Sequence, residues 1–162
     1  MEFRSDDRRY GLRLPDTEIA KLLKECQAVG ENETGGIISG YYTEDLRWAV
    51  VTAISAPPID SSSSKTWFLR GTLGLQKWID RIWVQRRWYY LGEWHFHPRH
   101  APIPSSDDDD QMRRLARSLL LMCPEPLLVI IGGNPNEKWE VGAYVYPRNS
   151  VRRELKRVGS VS

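Results

Sequence analysis

The segment Trp94-His95-Phe96-His97-Pro98 constrains the fold more than any other stretch of the chain. A β-strand sends successive side chains to opposite faces, so residues two apart share a face. As a strand, this segment puts both imidazoles on one side of a sheet and Trp94 and Phe96 on the other. The chain has only three His, and two of them stand here. Beyond Pro98, a loop punctuated by Pro102 and Pro104 leads to Ser105-Ser106-Asp107-Asp108-Asp109-Asp110. A serine followed by carboxylates marks a helix start, because the hydroxyl caps free backbone amides and the acids suit the positive dipole end. The chain must therefore build a strand, a loop and a helix that bring two imidazoles towards a cluster of carboxylates.

The rest of the chain supplies the frame. A short strand near 9–14 precedes a first helix that starts at Pro15-Asp16, carries Ile19, Leu22, Leu23 and Cys26 on one face and stops at Gly30. Glu33-Thr34-Gly35-Gly36 approaches an apolar strand over 37–42, and a turn at Thr43-Glu44-Asp45 returns it as a strand over 48–54. After a Ser-rich loop, residues 65–70 read as a strand. A second helix over 73–86 places Leu75, Trp78, Ile79, Ile82 and Trp83 at helical spacing, which assigns these aromatics to the core. The histidine strand spans 88–97, the third helix runs to about Leu121, a fully apolar strand covers 127–131, and a last strand covers 138–146. The order is that of one α/β (α+β) domain, a mixed sheet flanked by helices. The domain spans 1–162, with a core over about 10–146 and a basic C-terminal tail over 147–162 that could continue as helix.

Composition narrows the function classes. A length of 162 residues suits one domain with a sizeable core. The net charge of +2 argues against a nucleic-acid grip; Arg81, Arg86, Arg87 and the tail arginines read as solvated faces. Two cysteines, Cys26 and Cys123, make neither a disulfide framework nor a CxxC site. The first residues are no signal peptide, and no apolar run has the length of a membrane span. These features point to a cytoplasmic protein with reduced thiols, no membrane and no nucleic-acid partner. Cys123, beside Pro124, reads as a buried helix-end residue rather than a nucleophile, and His100 as a solvent-facing loop residue.

A catalytic zinc takes three protein ligands and leaves a fourth position open. His95 and His97 supply two, and one of Asp107, Asp108, Asp109 and Asp110 the third. A helix turns about 100° per residue, so only one or two of the four can face the metal; spacing alone does not choose, and the others are expected to be solvated charges. A hydrolase also needs a base. Glu93, which shares a face with His95, is a candidate partner behind the imidazole. Glu33, before Gly35-Gly36, is another acid near a strand that can be approached closely.

Glu33-Thr34-Gly35-Gly36, then His95-Phe96-His97-Pro98, then Ser105-Ser106-Asp107-Asp108, together resemble the JAB/JAMM (MPN-plus) metalloproteases, whose motif is a distant Glu, H-x-H-P and S-x-x-D. The resemblance covers about 10–146. It implies a JAB/MPN domain with cytidine-deaminase-like layering and one Zn2+ held by His95, His97 and Asp108. It also implies Glu33 as the catalytic acid–base group and Ser105 as an oxyanion donor. Phe96 departs from the Ser or Thr that many members carry between the histidines; it should point away from the metal and alter packing only. The implied reaction is hydrolysis of a peptide or isopeptide bond after the C-terminus of a ubiquitin-like protein. The loop and hairpin over 59–68 are expected to wall the substrate groove.

The run Tyr89-Tyr90-Leu91-Gly92-Glu93-Trp94-His95 looks most like bacterial members. One group of those, in cGAS-like (CBASS) antiphage systems, releases a cGAS-like nucleotidyltransferase from its conjugates and sits beside an E1–E2 fusion enzyme. Deconjugation of that kind is the expected function. A JAMM peptidase that trims a ubiquitin-like or sulfur-carrier precursor is the enzymatic alternative. A non-catalytic zinc-containing module that binds protein tails is the alternative from another class.

Overall fold

The structure, a computed structural model, describes residues 1–159; the final residues of the expected tail, 160–162, lie outside the described residues. Strands β1 (Glu2–Arg4) and β2 (Gly11–Arg13) pair antiparallel at the start of the chain. Helix α1 (Asp16–Val29) buries Ile19, Leu22 and Cys26 and ends at Gly30, whose φ of 65° suits a residue without a Cβ. Strands β3 (Thr34–Tyr42) and β4 (Trp48–Ile54) form the next hairpin. Strands β5 (Ser62–Ser63) and β6 (Phe68–Leu69) make a separate small hairpin. Helix α2 (Leu75–Arg86), strand β7 (Tyr89–Pro98) and helix α3 (Ser106–Arg117) follow. Strands β8 (Leu127–Gly133), β9 (Trp139–Val145), β10 (Arg153–Glu154) and β11 (Lys156–Arg157) complete the described chain.

Among the described residues, the main sheet has nine strands in the order β10-β9-β8-β7-β3-β4-β2-β1-β11. The pairs β7·β8 and β2·β4 are parallel and the other neighbours antiparallel. This is the mixed sheet expected from the sequence. Alternation along each strand divides its side chains between two cores. On one face, Ile19, Leu22 and Cys26 of α1 pack against Val51, Trp94, Phe96, Val129 and Ile131. On the other, Met112 and Ala116 of α3 pack against Leu128, Ile130, Tyr144 and Tyr146. Trp94 and Phe96 are both fully buried in the α1 layer, so the histidines between and after them emerge in the α3 layer.

Three expectations are corrected. Helix α2 is not a core helix: Leu75 is its buried residue, while Trp83 is 39% and Val84 72% exposed. It packs along β7 from outside, and Trp83 stacks at the surface, 5.2 Å from the Tyr89 ring and 5.1 Å from the Arg87 guanidinium. Helix α3 stops at Arg117 rather than near Leu121, because Ser118 turns to extended backbone; Leu119, Leu120 and Met122 are then left on an exposed loop. The basic tail is not helical. Its residues 153–157 form β10 and β11, which pair with β9 and β1 at the two opposite edges of the sheet. Leu155, between them, is buried with Phe3 and Val145.

Candidate metal centre

Strand β7 carries Glu93, His95 and His97 towards the α3 layer, and all three are buried. The parallel neighbour sets Glu93 beside Leu128 and His95 beside Ile130, so apolar side chains floor the cluster. On the other flank β3 pairs antiparallel with β7, and Gly35 lies opposite His95. A Cβ on Gly35 would stand 2.9 Å from His95 Cδ2 and 2.5 Å from the Trp94 carbonyl oxygen. The glycine therefore gives the imidazole its room, and Gly35-Gly36 lies inside β3 rather than in the loop before it. Continuing the register by one step from Thr34↔Phe96 sets Glu33 opposite His97 and on the same face.

The run of aspartates resolves into separate roles. Ser105 caps α3 with a reciprocal arrangement: its Oγ accepts from the Asp108 N–H at 3.2 Å, and its own N–H donates to Asp108 Oδ2 at 2.8 Å. The Ser105 hydroxyl also donates to Asp108 Oδ2, at 2.8 Å. This cap aims the buried Asp108 carboxylate at the histidines: Oδ1 is 2.6 Å from His95 Nδ1 and Oδ2 3.3 Å from His97 Nε2. Asp107 and Asp110 are exposed as expected. Asp109 is not a free charge; it accepts from the Tyr146 hydroxyl at 2.6 Å and from Arg152 at 2.7 Å.

His95, His97 and Asp108 each offer a ligand atom, and these atoms lie within 4.8 Å of one another. Two imidazole nitrogens and one carboxylate oxygen form a donor set suited to a first-row divalent ion with one position left for solvent or substrate. Within the cluster, opposite charges stabilise one another against burial. Burial disfavours the charged form of Asp108, yet the two imidazoles and the Ser105 amide hold it well below the usual carboxylate range. Burial also opposes charge on His95, but Asp108, and then Glu93, push it up to about 9. His95 Nε2 is buried without a hydrogen-bond partner, 3.9 Å from Glu93 Oε2. The convergence of His95 Nδ1 and His97 Nε2 on the Asp108 carboxylate fits a metal ion.

Glu33 is half-buried at the rim of the cluster. Partial burial, then the negative charge of Asp108, raise its carboxyl above the ordinary value, while His97, His95 and the exposed His100 pull the other way. Its backbone N–H donates to the Ser64 carbonyl at 2.8 Å, which ties it to the small β5–β6 hairpin. Phe68 of that hairpin meets His95 edge-on, with centroids 5.9 Å apart. Beside it in sequence, Trp67 and Leu69 are 47% and 65% exposed, and Ile59, before the hairpin, is 88% exposed. A separate cavity of about 460 Å³, lined by Tyr10, Arg47 and Glu125 among others, includes none of the cluster residues. Both cysteines are buried, and burial pushes their thiols up, to about 12 for Cys26 and about 11 for Cys123. Cys123 lies in the segment after α3 rather than at the helix end. Among the described residues, no helix is long and apolar enough to cross a membrane.

Sequence reasoning brought forward His95, His97, Asp108, Glu33 and Ser105, and the fold gathers all five at one end of β3, β7 and α3. It missed Arg70 and Gln111, whose side chains reach the buried Glu93 at 2.8 and 2.9 Å. Neither stands in a motif or at a spacing that signals the contact.

Residues 16–142 match the family described as prokaryotic homologs of the JAB domain. A CD-NTase/cGAS isopeptidase of Enterobacter hormaechei is 36% identical over 156 residues, covering 96% of this chain and 86% of that protein. A probable metalloprotease of Sinorhizobium fredii is 28% identical over 135 residues, 82% of this chain and 81% of the relative. A protein of Desulfitobacterium hafniense solved in solution shares the fold, with a TM-score of 0.61 at 19% identity over 91% of each chain.

Proposed function

The chain belongs to the prokaryotic JAB-domain family, a metallopeptidase by that membership, and we propose that it is a zinc-dependent isopeptidase that deconjugates a CD-NTase from a ubiquitin-like modifier. The observation that carries this reading is the convergence of His95, His97 and Asp108 beside a half-buried Glu33. The substrate class comes from the 36% identical relative, which is named a CD-NTase/cGAS isopeptidase. On this reading the protein works in the bacterial cytoplasm during antiphage defence, on conjugates built by an E1–E2 fusion enzyme.

A zinc ion held by His95, His97 and Asp108 would supply Lewis acidity, lowering the pKa of water and polarising the scissile carbonyl. The chain's own groups do the rest. Glu33 takes the proton from the attacking water and returns it to the leaving lysine amine, a shuttle favoured by its raised pKa. Ser105 offers its hydroxyl to the developing oxyanion. That hydroxyl can turn away from Asp108 because the Ser105 N–H still holds the same carboxylate oxygen. The exposed apolar residues Ile59, Trp67 and Leu69, in the segment that carries Phe68 and is tied to Glu33 through Ser64, offer an edge along which an extended C-terminal tail can lie.

The test is cleavage of a purified modifier–nucleotidyltransferase conjugate, with and without a chelator. Chelation is expected to stop cleavage and added zinc to restore it. Glu33→Gln is expected to lower turnover at least about 100-fold with bound metal unchanged. A conjugate that binds and is never cut with zinc present would leave a tail-binding module. Cleavage of linear precursors but not of lysine-linked conjugates would indicate a trimming peptidase.

A further inference from the structure

The His95 imidazole stands between two carboxylates. Its Nδ1 is 2.6 Å from Asp108 Oδ1, on the donor side of the cluster. Its Nε2 faces Glu93 Oε2 at 3.9 Å, is buried, and makes no hydrogen bond. Glu93 has no exposed surface. Arg70 grips it through Nε to Oε2 at 2.9 Å and through Nη2 to Oε1 at 2.8 Å. The Tyr90 hydroxyl donates to Oε1 at 3.3 Å, and Gln111 of α3 donates to Oε2 at 2.9 Å. The carboxylate is thus fixed in direction by groups on β7, on α3 and on the segment after β6, and it faces the His95 imidazole without touching it.

We propose that Glu93, held by Arg70, is a positioning residue that sets which nitrogen His95 presents to the metal. A histidine ligand must keep one nitrogen free of its proton, and a carboxylate behind the ring stabilises that proton on the other. Here Glu93 favours the proton on Nε2 and leaves Nδ1 to the cation. The inference rests on reading the cluster as a metal centre. It also gives the β5–β6 segment a role. Arg70 follows directly on β6, and Phe68 of the same segment already braces His95. Asp60 and Ser61 close the segment on itself by accepting from the backbone N–H groups of Gly71, Thr72 and Leu73. The order of this segment therefore fixes the ligand geometry from behind.

A purely structural ion pair is the competing explanation, and a charge-balanced variant separates the two. Replacing both partners by apolar groups of similar size removes a buried pair without stranding either charge. The experiment compares native protein, R70M/E93L and R70M/E93Q by thermal melting, by Co2+ titration with its absorption spectrum, and by competition with a chelator. R70M/E93L is expected to melt cooperatively and to bind Co2+ about 10–100-fold more weakly, the scale for loss of a group behind a metal ligand, with an altered ligand-field spectrum. R70M/E93Q returns one neutral acceptor and is expected to recover part of the loss; it carries the test alone if R70M/E93L does not fold. Native affinity and spectrum in the folded variant would overturn the positioning role while leaving the metal centre intact. Failure of the native protein itself to bind a divalent ion would remove both.

Discussion

Substituting Gly35 by alanine perturbs the centre without replacing a proposed ligand or base. The added methyl carbon would sit 2.5 Å from the Trp94 carbonyl oxygen and 2.9 Å from both His95 Cδ2 and Phe68 Cε1, where ordinary contact begins at 3.4 Å. The oxygen must recede by about 0.9 Å (3.4 − 2.5), and it belongs to the backbone of the β3–β7 pair. The two rings must each recede by about 0.5 Å (3.4 − 2.9). Overpacking of this kind costs about 1–3 kcal/mol; for a domain of this size each kcal/mol lowers Tm by about 2–4 °C. A middle value of about 2 kcal/mol gives a fall of about 4–8 °C. A half-ångström displacement of His95 also reaches the limit within which a functional group must be held, so metal affinity should drop by about 10-fold or more. Calorimetry and Co2+ titration read the two effects separately. Gly159→Ala, where a Cβ meets nothing within 4 Å, is the control and should change neither. A Gly35→Ala protein with native Tm and native metal affinity would refute the claim that this glycine makes room for the imidazole.

The neighbouring aspartates should part company: Asp108→Ala should abolish metal uptake by elemental analysis. Asp109→Ala should keep the metal but lose about 1 kcal/mol in denaturant unfolding, because the buried Tyr146 hydroxyl and Arg152 lose a partly buried acceptor. Burial raises both thiols and keeps Cys26 and Cys123 in the unreactive protonated form at pH 8. Maleimide should leave the folded protein unlabelled by mass spectrometry and fully active, and labelling with inactivation would contradict this. Leu155→Ala should cost about 2–5 kcal/mol by urea titration, since the residue is buried at the point where the tail passes from one sheet edge to the other.

The centre was legible because its logic is local. Alternation along β7 is enough to put His95 and His97 on one face with Trp94 and Phe96 in the opposite core, and a cap at Ser105 is enough to start α3. The choice of Asp108 needed the resemblance, and the structure supplies the physical reason, a capping box that turns that carboxylate inwards. Other features depend on contacts between distant residues. Arg70 and Glu93 meet across 23 positions with no periodic signal. Trp78, Ile79 and Ile82 have a helical stripe, yet the sheet leaves α2 outside, so the pattern overstated its burial. The strands β10 and β11 have two residues each, too few for alternation to register against a run of basic side chains.

Those two short strands join the fold's extremes. Lys156 pairs with Asp6 across 150 positions and Arg153 with Asp7 across 146, while Leu155 bonds to Ala143 close by. Closing a loop of that size costs about 4 kcal/mol of chain entropy from length alone, which two-residue pairings recover only after the remaining strands are in place. The seam should therefore form late in folding and open first when the protein loosens. An open seam bares the outer hydrogen-bonding edges of both β9 and β1 at once, and unpaired edges recruit strands from other molecules. Removing the Asp6 and Asp7 carboxylates should therefore promote self-association, read by light scattering, without touching the metal centre.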